Sequence, residues 1–137
     1  MNSTFTFDAI NNAVCWSLHG KVTDQIFSED LRSVAALLSG TSPMSGIIDF
    51  SGVTSFEVST QSIKKLADTE PILPAAVPRV IVAPADHLYG LARMFSILSE
   101  HKRPNLFVVR SIDEAYQALK IASPQFRPLA LQHKTST

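Results

Sequence analysis

The stretch from Gly46 to Leu66 constrains the fold more than any other part of this chain. It opens with the short run Ile47–Phe50, which is flanked by glycines, is too short for a helix and is typical of a buried strand. A polar segment rich in serine and threonine follows, and apolar residues at helical spacing begin at Ile63. Open α/β sheets carry their functional loops where a strand leads into a helix, so we expect residues 51–60 to form a functional loop.

Hydrophobic patterns predict further strands on both sides of this stretch. Residues 4–10 and 13–18 alternate between apolar and polar around the Asn11–Asn12 pair, which predicts a β-hairpin. Apolar runs at 79–83 and 106–109 predict two more strands, and their lack of alternation is typical of strands covered on both faces.

Capping signals and apolar stripes predict four helices. The first begins after an N-cap at Ser28, with Asp30 among the acidic residues of its first turn. The second carries Ile63 on its inner face, and the third is capped by Asp86. Residues 111–114 form a capping box for the fourth.

The element order β-β-α-β-α-β-α-β-α predicts an α/β fold. We expect a mixed sheet of about five strands, an N-terminal hairpin followed by parallel β-α units, covered by about four helices. A chain of 137 residues fits a single domain, which we assign to residues 1–122. Residues 123–137 then form a C-terminal tail whose polar, proline-containing composition permits flexibility.

Composition excludes several classes of function. Lys+Arg and Asp+Glu are equal at 12 each, which argues against a nucleic-acid partner because phosphates require a basic face. The single cysteine, Cys15, is predicted to be a buried strand thiol, and no Cys/His spacing suits a metal. No apolar run is long enough to span a membrane, and no secretory leader is evident, so a cytoplasmic location is expected.

Two segments resemble the STAS domain, the fold of the anti-sigma factor antagonists. They read L-H-G-K-V-T at 18–23 and I-I-D-F-S-G-V-T-S-F at 47–56, and in that family such strands precede helices. The second half, at 85–95 and 108–115, is similar to a group of small bacterial proteins of unassigned function in the SpoIIAA-like (STAS/SEC14-like) superfamily. The resemblance covers about residues 4–121 and implies a mixed α/β sheet and a regulatory role.

The chain departs from that family at its functional motif. The antagonists carry Asp-Ser-Ser-Gly at a helix start, and a partner kinase phosphorylates the first serine; the matching residues here are Glu57-Val58-Ser59-Thr60. Ser59 is a possible phospho-acceptor, since a phosphate suits a helix N-terminus. The alternative is that Ser59 only caps the helix, and it is the favoured interpretation.

Two groups of polar residues are candidates for binding a partner. One lies around the strand-to-helix junction and comprises Ser51, Thr54, Glu57, Ser59 and Thr60. The other lies on the third helix and comprises Asp86, His87, Tyr89 and Arg93, where Tyr89 and Arg93 are neighbours at i, i+4. Aromatic and arginine side chains are enriched at interfaces, although a solvated helix face explains the same pattern.

No catalytic constellation, phosphate-binding glycine loop or metal-ligand spacing is present, so we expect no enzymatic activity and no cofactor. The first hypothesis is a regulatory or protein-interaction module, possible as a homodimer, whose protein partner is unknown. The alternative is a carrier of a small apolar or lipid-like ligand. The wide apolar stripe of the third helix supports the alternative if it lines a pocket rather than a filled core; it comprises Leu88, Leu91, Met94, Phe95 and Ile97.

Overall fold

A computed structural model describes residues 3–129. The elements are β1 (Ser3–Asp8), β2 (Ala13–Thr23), α1 (Asp24–Leu38), β3 (Ser45–Glu57), α2 (Thr60–Ala67), β4 (Arg79–Val82), α3 (Asp86–Leu98), β5 (Leu106–Val109), α4 (Ile112–Ala118) and β6 (Arg127–Pro128).

The strands form one mixed sheet in the order β5-β4-β3-β2-β1-β6. β1 and β2 pair antiparallel as the predicted hairpin, whereas β2, β3, β4 and β5 pair parallel to one another. Apolar side chains of α1, α2 and α3 pack on one face, and those of α4 pack on the other. The predicted α/β fold with a helix-covered mixed sheet is therefore confirmed.

The described sheet has six strands instead of about five, because part of the predicted tail joins it. Arg127 and Pro128 form β6 and pair antiparallel with Phe7 and Thr6. The backbone nitrogen of Gln125 also donates to the buried carboxylate of Asp8, at 2.7 Å. The remainder of the tail, from residue 130 onward, lies outside the described residues.

The strand β3 is much longer than the sequence predicts, and residues 51–57 form strand instead of the expected loop. Residues 51–57 continue β3 and pair with the end of β2, from His19↔Gly52 to Thr23↔Glu57. The register between the two strands shifts between Ser17 and His19 and again between Gly20 and Lys21, and Gly20 adopts a positive φ of 68°. Only two residues, 58 and 59, separate β3 from α2.

The first helix begins four residues before the predicted N-cap at Ser28. Thr23 is the N-cap, and its hydroxyl accepts a hydrogen bond from the backbone nitrogen of Ile26 at 3.2 Å. Asp30, expected in the first turn, instead lies in the second, where it is buried and accepts a hydrogen bond from the Ser3 hydroxyl. Trp16 Nε1 donates to the same hydroxyl at 2.9 Å, so this network anchors α1 to the hairpin.

The third helix differs from its prediction at both ends. Ala85 is the N-cap without a side-chain hydrogen bond, so Asp86 is the first helical residue rather than the cap. Ile97 and Leu98, expected on the inner stripe, are 65% and 40% exposed. The capping box of α4 is confirmed, because Ser111 and Glu114 satisfy each other's backbone nitrogens.

Candidate functional site

An apolar cavity of about 300 Å³ lies between the sheet and the helices of its first face. Its floor consists of side chains from β1 to β5, and its roof is the second half of α1. The remaining walls are the end of α2, Phe95 of α3, and the segment between α2 and β4, residues 68–78, which we call the connector. The lining is mostly aliphatic and aromatic, as in many sites for small molecules.

The register of the strands places this cavity at the amino ends of the parallel strands. Gly46 of β3 pairs with Val14 of β2 and with Arg79 of β4, and Arg79 pairs with Leu106 of β5; all four residues line the cavity. The functional residues predicted from the sequence belong instead to the opposite edge, where the strands lead into helices. The cavity and the predicted polar residues therefore lie at opposite ends of the sheet.

A small residue in the roof leaves part of this volume open. Ala35 of α1 lines the cavity and contributes only a methyl group. Leu37 and Leu38 are only half-buried, although both belong to the apolar stripe of α1. Exposed lining residues, among them Ala35 and Ile72, mark the mouth between α1 and the connector.

A second hollow of about 80 Å³ adjoins the first beneath α2 and α3. The two share six lining residues, namely Trp16, Leu31, Ile48, Leu66, Ile81 and Phe95. Leu88 and Leu91 of the predicted apolar stripe line the second hollow. That stripe thus faces a partly empty interior.

Two buried arginines form the polar end of the cavity. Arg79 donates through its terminal nitrogens to the carbonyls of Leu73, Pro74 and Val77. Its Nε is buried and has no hydrogen-bond partner among residues 3–129. Arg103 donates to three carbonyls at the end of α2, and its guanidinium lies 5.1 Å from the ring centroid of Phe95.

The charges of these arginines are poorly compensated. Neither forms an ion pair with a carboxylate of the described residues. Burial lowers the pKa of both guanidinium groups, and the charge of Arg103 lowers the pKa of Arg79 further. Glu70 lies at the rim and raises the pKa of Arg103, but its side chain is 87% exposed and pairs with Lys102 at 3.0 Å.

Two of the candidate residues of α3, Asp86 and Tyr89, contact an arginine that the sequence did not suggest. Arg110, just after β5, forms an ion pair with Asp86 at 2.6 Å and lies 4.0 Å above the ring centroid of Tyr89. His87 and Arg93 are exposed on the same helix. These contacts fix α3 to the end of β5 at the carboxyl edge of the sheet.

The candidate residues of β3 are engaged locally. The carboxylate of Asp49 accepts from the backbone nitrogen and the hydroxyl of Ser51, at 2.9 and 2.6 Å. Thr54 is exposed, and Glu57 pairs with Lys21 at 3.7 Å. No hydrogen bond or ion pair between described residues joins this group to the one on α3.

Ser59 is the N-cap of α2, in agreement with the favoured interpretation. Its hydroxyl accepts from the backbone nitrogen of Ser62 at 3.1 Å, and Thr60 is the first helical residue. Val58, at the family's phospho-acceptor position, is buried. The backbone nitrogen of Ser59 donates to Asp24, and this hydrogen bond lowers the pKa of the Asp24 carboxylate.

Other kinds of site find little support within residues 3–129. No group of three or more His, Cys, Asp or Glu side chains is arranged to hold a metal ion. Cys15 is buried, as predicted, and burial raises its pKa to about 11. Among the helices of the described region, none is both long and apolar enough to cross a membrane.

The cavity arginines were missed as functional residues because each had an ordinary explanation. Arg79 begins an apolar strand, and Arg103 belongs to a short basic run that is typical of a helix end. One signal was present: an arginine at the start of a strand covered on both faces has few routes to water.

Comparison with models of known protein families and with curated proteins finds no match for this chain. The resemblance to the STAS family therefore stays a prediction.

Proposed function

We propose that this protein binds a small, mostly apolar molecule in the cavity beneath α1, without transforming it chemically. The observation that supports the proposal is the cavity of about 300 Å³, lined by apolar side chains and open between α1 and the connector. Ligand sites typically begin at this size, and they combine apolar walls with a few polar groups.

The volume limits the size of the ligand. At about 30 Å³ for each water-sized group, the cavity accommodates on the order of ten non-hydrogen atoms. Trp16 and Phe95 offer aromatic surface on the floor and one wall. A linear or monocyclic hydrocarbon body of medium length fits these dimensions, and the second hollow extends the space beneath α3.

Calorimetric titration with hexanol, heptanol and octanol tests the proposal. Each added methylene is worth about 0.8 kcal/mol on burial, so we expect affinity to rise about fourfold per carbon. Binding that is absent for all three alcohols, or that does not depend on length, would contradict an apolar cavity as the site.

Two adjacent alanines of α1 provide a matched pair of variants. Ala35 lines the cavity, whereas its exposed neighbour Ala36 does not. Ala35→Phe should occupy the mouth and weaken octanol binding at least tenfold, and Ala36→Phe should leave the affinity unchanged. The helix propensity changes equally in both variants, so only the position relative to the cavity distinguishes them.

A second candidate function, a protein-interaction module that pairs with a copy of itself, rests on a different observation. β5 is an edge strand of the described sheet, and its Phe107 is 46% exposed. An open edge with an exposed aromatic residue offers backbone groups and apolar surface to another strand. We infer pairing of two β5 edges as the route to a homodimer.

Light scattering on the purified protein tests this second candidate. The wild type should be dimeric at micromolar concentration, and Phe107→Lys should shift it to the monomer because charged residues protect edges. Ile10→Lys is the control, since Ile10 is 79% exposed and precedes β2 at the hairpin turn. A monomeric wild type excludes this candidate.

A further inference from the structure

The buried arginines have a structural role that accounts for most of their hydrogen-bonding capacity. Arg79 binds carbonyls of the connector, and Arg103 binds carbonyls at the end of α2. Together they fasten the wall of the cavity to the sheet. Carbonyl groups satisfy donors, but they leave the positive charges without a counterion.

One donor of Arg79 has no partner within residues 3–129 after these hydrogen bonds to the connector are made. Arg79 is 8% exposed, lines the cavity, and keeps its Nε without a partner among the described residues. A buried donor without a partner costs free energy, and a charged donor costs more. In the described part of the chain, the guanidinium of Arg79 therefore carries both an unmet donor and a charge without a counterion.

The charge of the lining also favours an anionic group in the ligand. Arg32, Arg79 and Arg103 line the cavity, and Glu70 is the single acidic residue in the lining. Arg32 and Glu70 are exposed at the rim, so the buried part of the lining carries positive charge alone. An apolar chamber with a positive inner end is complementary to a molecule with an apolar body and an anionic head.

We propose that the ligand is a medium-chain carboxylic acid, or a molecule of the same chemical class, whose carboxylate lies beside the guanidinium groups of Arg79 and Arg103 at the inner end of the cavity. This inference rests on the proposed function, because it assigns the head group of a ligand whose body fills the cavity. The ligand is held non-covalently, with its hydrocarbon chain against Trp16 and the α1 roof.

Octanoate and octanol separate the head group from the body. At pH 7 octanoate should bind about tenfold or more tightly than octanol, as expected for a hydrogen bond to a charged donor. Equal affinities would overturn the head-group assignment and leave the apolar site standing. Failure of both probes to bind would overturn the proposed function, and this inference with it.

A pair of variants tests whether the charge of Arg79 causes the preference for octanoate. Arg79→Met should abolish the preference for octanoate over octanol. Arg93→Met removes the same charge from the exposed face of α3 and should keep the preference. A preference that survives Arg79→Met at full size would overturn the assignment to Arg79.

A measurement on the wild type covers the case in which Arg79→Met does not fold. Carboxyl-labelled octanoate is titrated by carbon NMR, free and bound. The pKa of the bound carboxyl should fall by about one unit or more, as for a carboxylate beside a guanidinium. An unchanged or raised pKa would overturn the contact.

Discussion

Leu73 lies directly against Gly46, so that a Cβ built on Gly46 would be only 2.6 Å from Leu73 Cδ1. Both residues line the cavity, one from the start of β3 and the other from the connector. The absence of a side chain at position 46 thus lets the connector close over the floor. The contact couples the shape of the cavity to the position of the connector.

Gly46→Ala should therefore displace the end of Leu73 rather than the backbone. We expect a loss of about 1 kcal/mol in the free energy of unfolding, at the low end for overpacking, because the flexible side chain can move. Urea denaturation measures the loss. In a Leu73→Ala background the same substitution should cost less, and additive effects in this double-mutant cycle would contradict the contact.

Asp8 should make the protein sensitive to acid. Burial by itself would raise the pKa of its carboxyl, but hydrogen bonds from Asn11 and Gln125 together lower it below the usual 3.8. The folded state therefore binds this proton less readily than the unfolded state. The stabilisation is complete above pH 3.8 and is lost as the pH falls through the lowered pKa.

Asp8→Asn tests this link between the hairpin and the C-terminal segment. The amide nitrogen of asparagine would face the N–H groups that bind the carboxylate of Asp8. We therefore expect the free energy of unfolding to fall by on the order of 2 kcal/mol at pH 7. As the pH falls below 3.8, the variant should lose stability less steeply than the wild type. Parallel pH profiles in urea denaturation would show that Asp8 is not the responsible group.

Cys15 should give the opposite pH dependence. Burial raises its pKa from 9.0 to about 11, so the unfolded chain releases the thiol proton first as the pH rises. Stability is complete below pH 9.0 and declines toward the folded pKa, by at most about 1.4 kcal/mol per pH unit. Cys15→Ala should flatten this part of the profile, although Tyr116, whose pKa is also raised by burial, retains some slope.

A thiol reagent provides an independent measurement at neutral pH. Cys15 should react with it far more slowly in the folded protein than in the denatured protein, because the thiol is buried and protonated. Equal rates in the two states would contradict the burial of Cys15.

Local sequence patterns predicted the parts of the fold that local interactions determine. The hairpin, the strand Ile47–Phe50 and the capping box at Ser111 follow from alternation, flanking glycines and reciprocal hydrogen bonds within a few residues. The extension of β3 beyond Ser51 was not predictable in this way. It depends on pairing with a distant strand through two register shifts.

The start of α1 illustrates the same limit. Ser28 is the predicted cap, but Thr23 also precedes an acidic residue and is likewise a suitable cap by residue type. Phe27 lies in the turn that a start at Ser28 would leave outside the helix, and its ring stacks on Trp16 and packs edge-on against Phe56. Tertiary contacts therefore decide where this helix begins.

Hydrophobic patterns could not predict the cavity, for a different reason. Hydrophobic periodicity predicts which side chains face inward, but it does not measure whether their volumes fill the space. Leu37 and Leu88 read as core residues and do face inward. Leu37 nevertheless borders the cavity and Leu88 the adjoining hollow, and the small side chain of Ala35 leaves part of the cavity unfilled.

Ser59 allows the capping role and the possible phospho-acceptor role to be separated. Its hydroxyl caps α2 through Ser62, so Ser59→Ala should lower the free energy of unfolding by about 1 kcal/mol. Ser59→Asp should stay within about 0.5 kcal/mol of the wild type, because aspartate is an equally good N-cap and its charge suits the helix dipole. Thr60→Ala is the control: Thr60 is exposed in the first helical position and should tolerate alanine. Equal losses for Ser59→Ala and Thr60→Ala in thermal denaturation would contradict the cap, whereas a large loss for Ser59→Asp would exclude an anionic group, phosphate included, at this helix start.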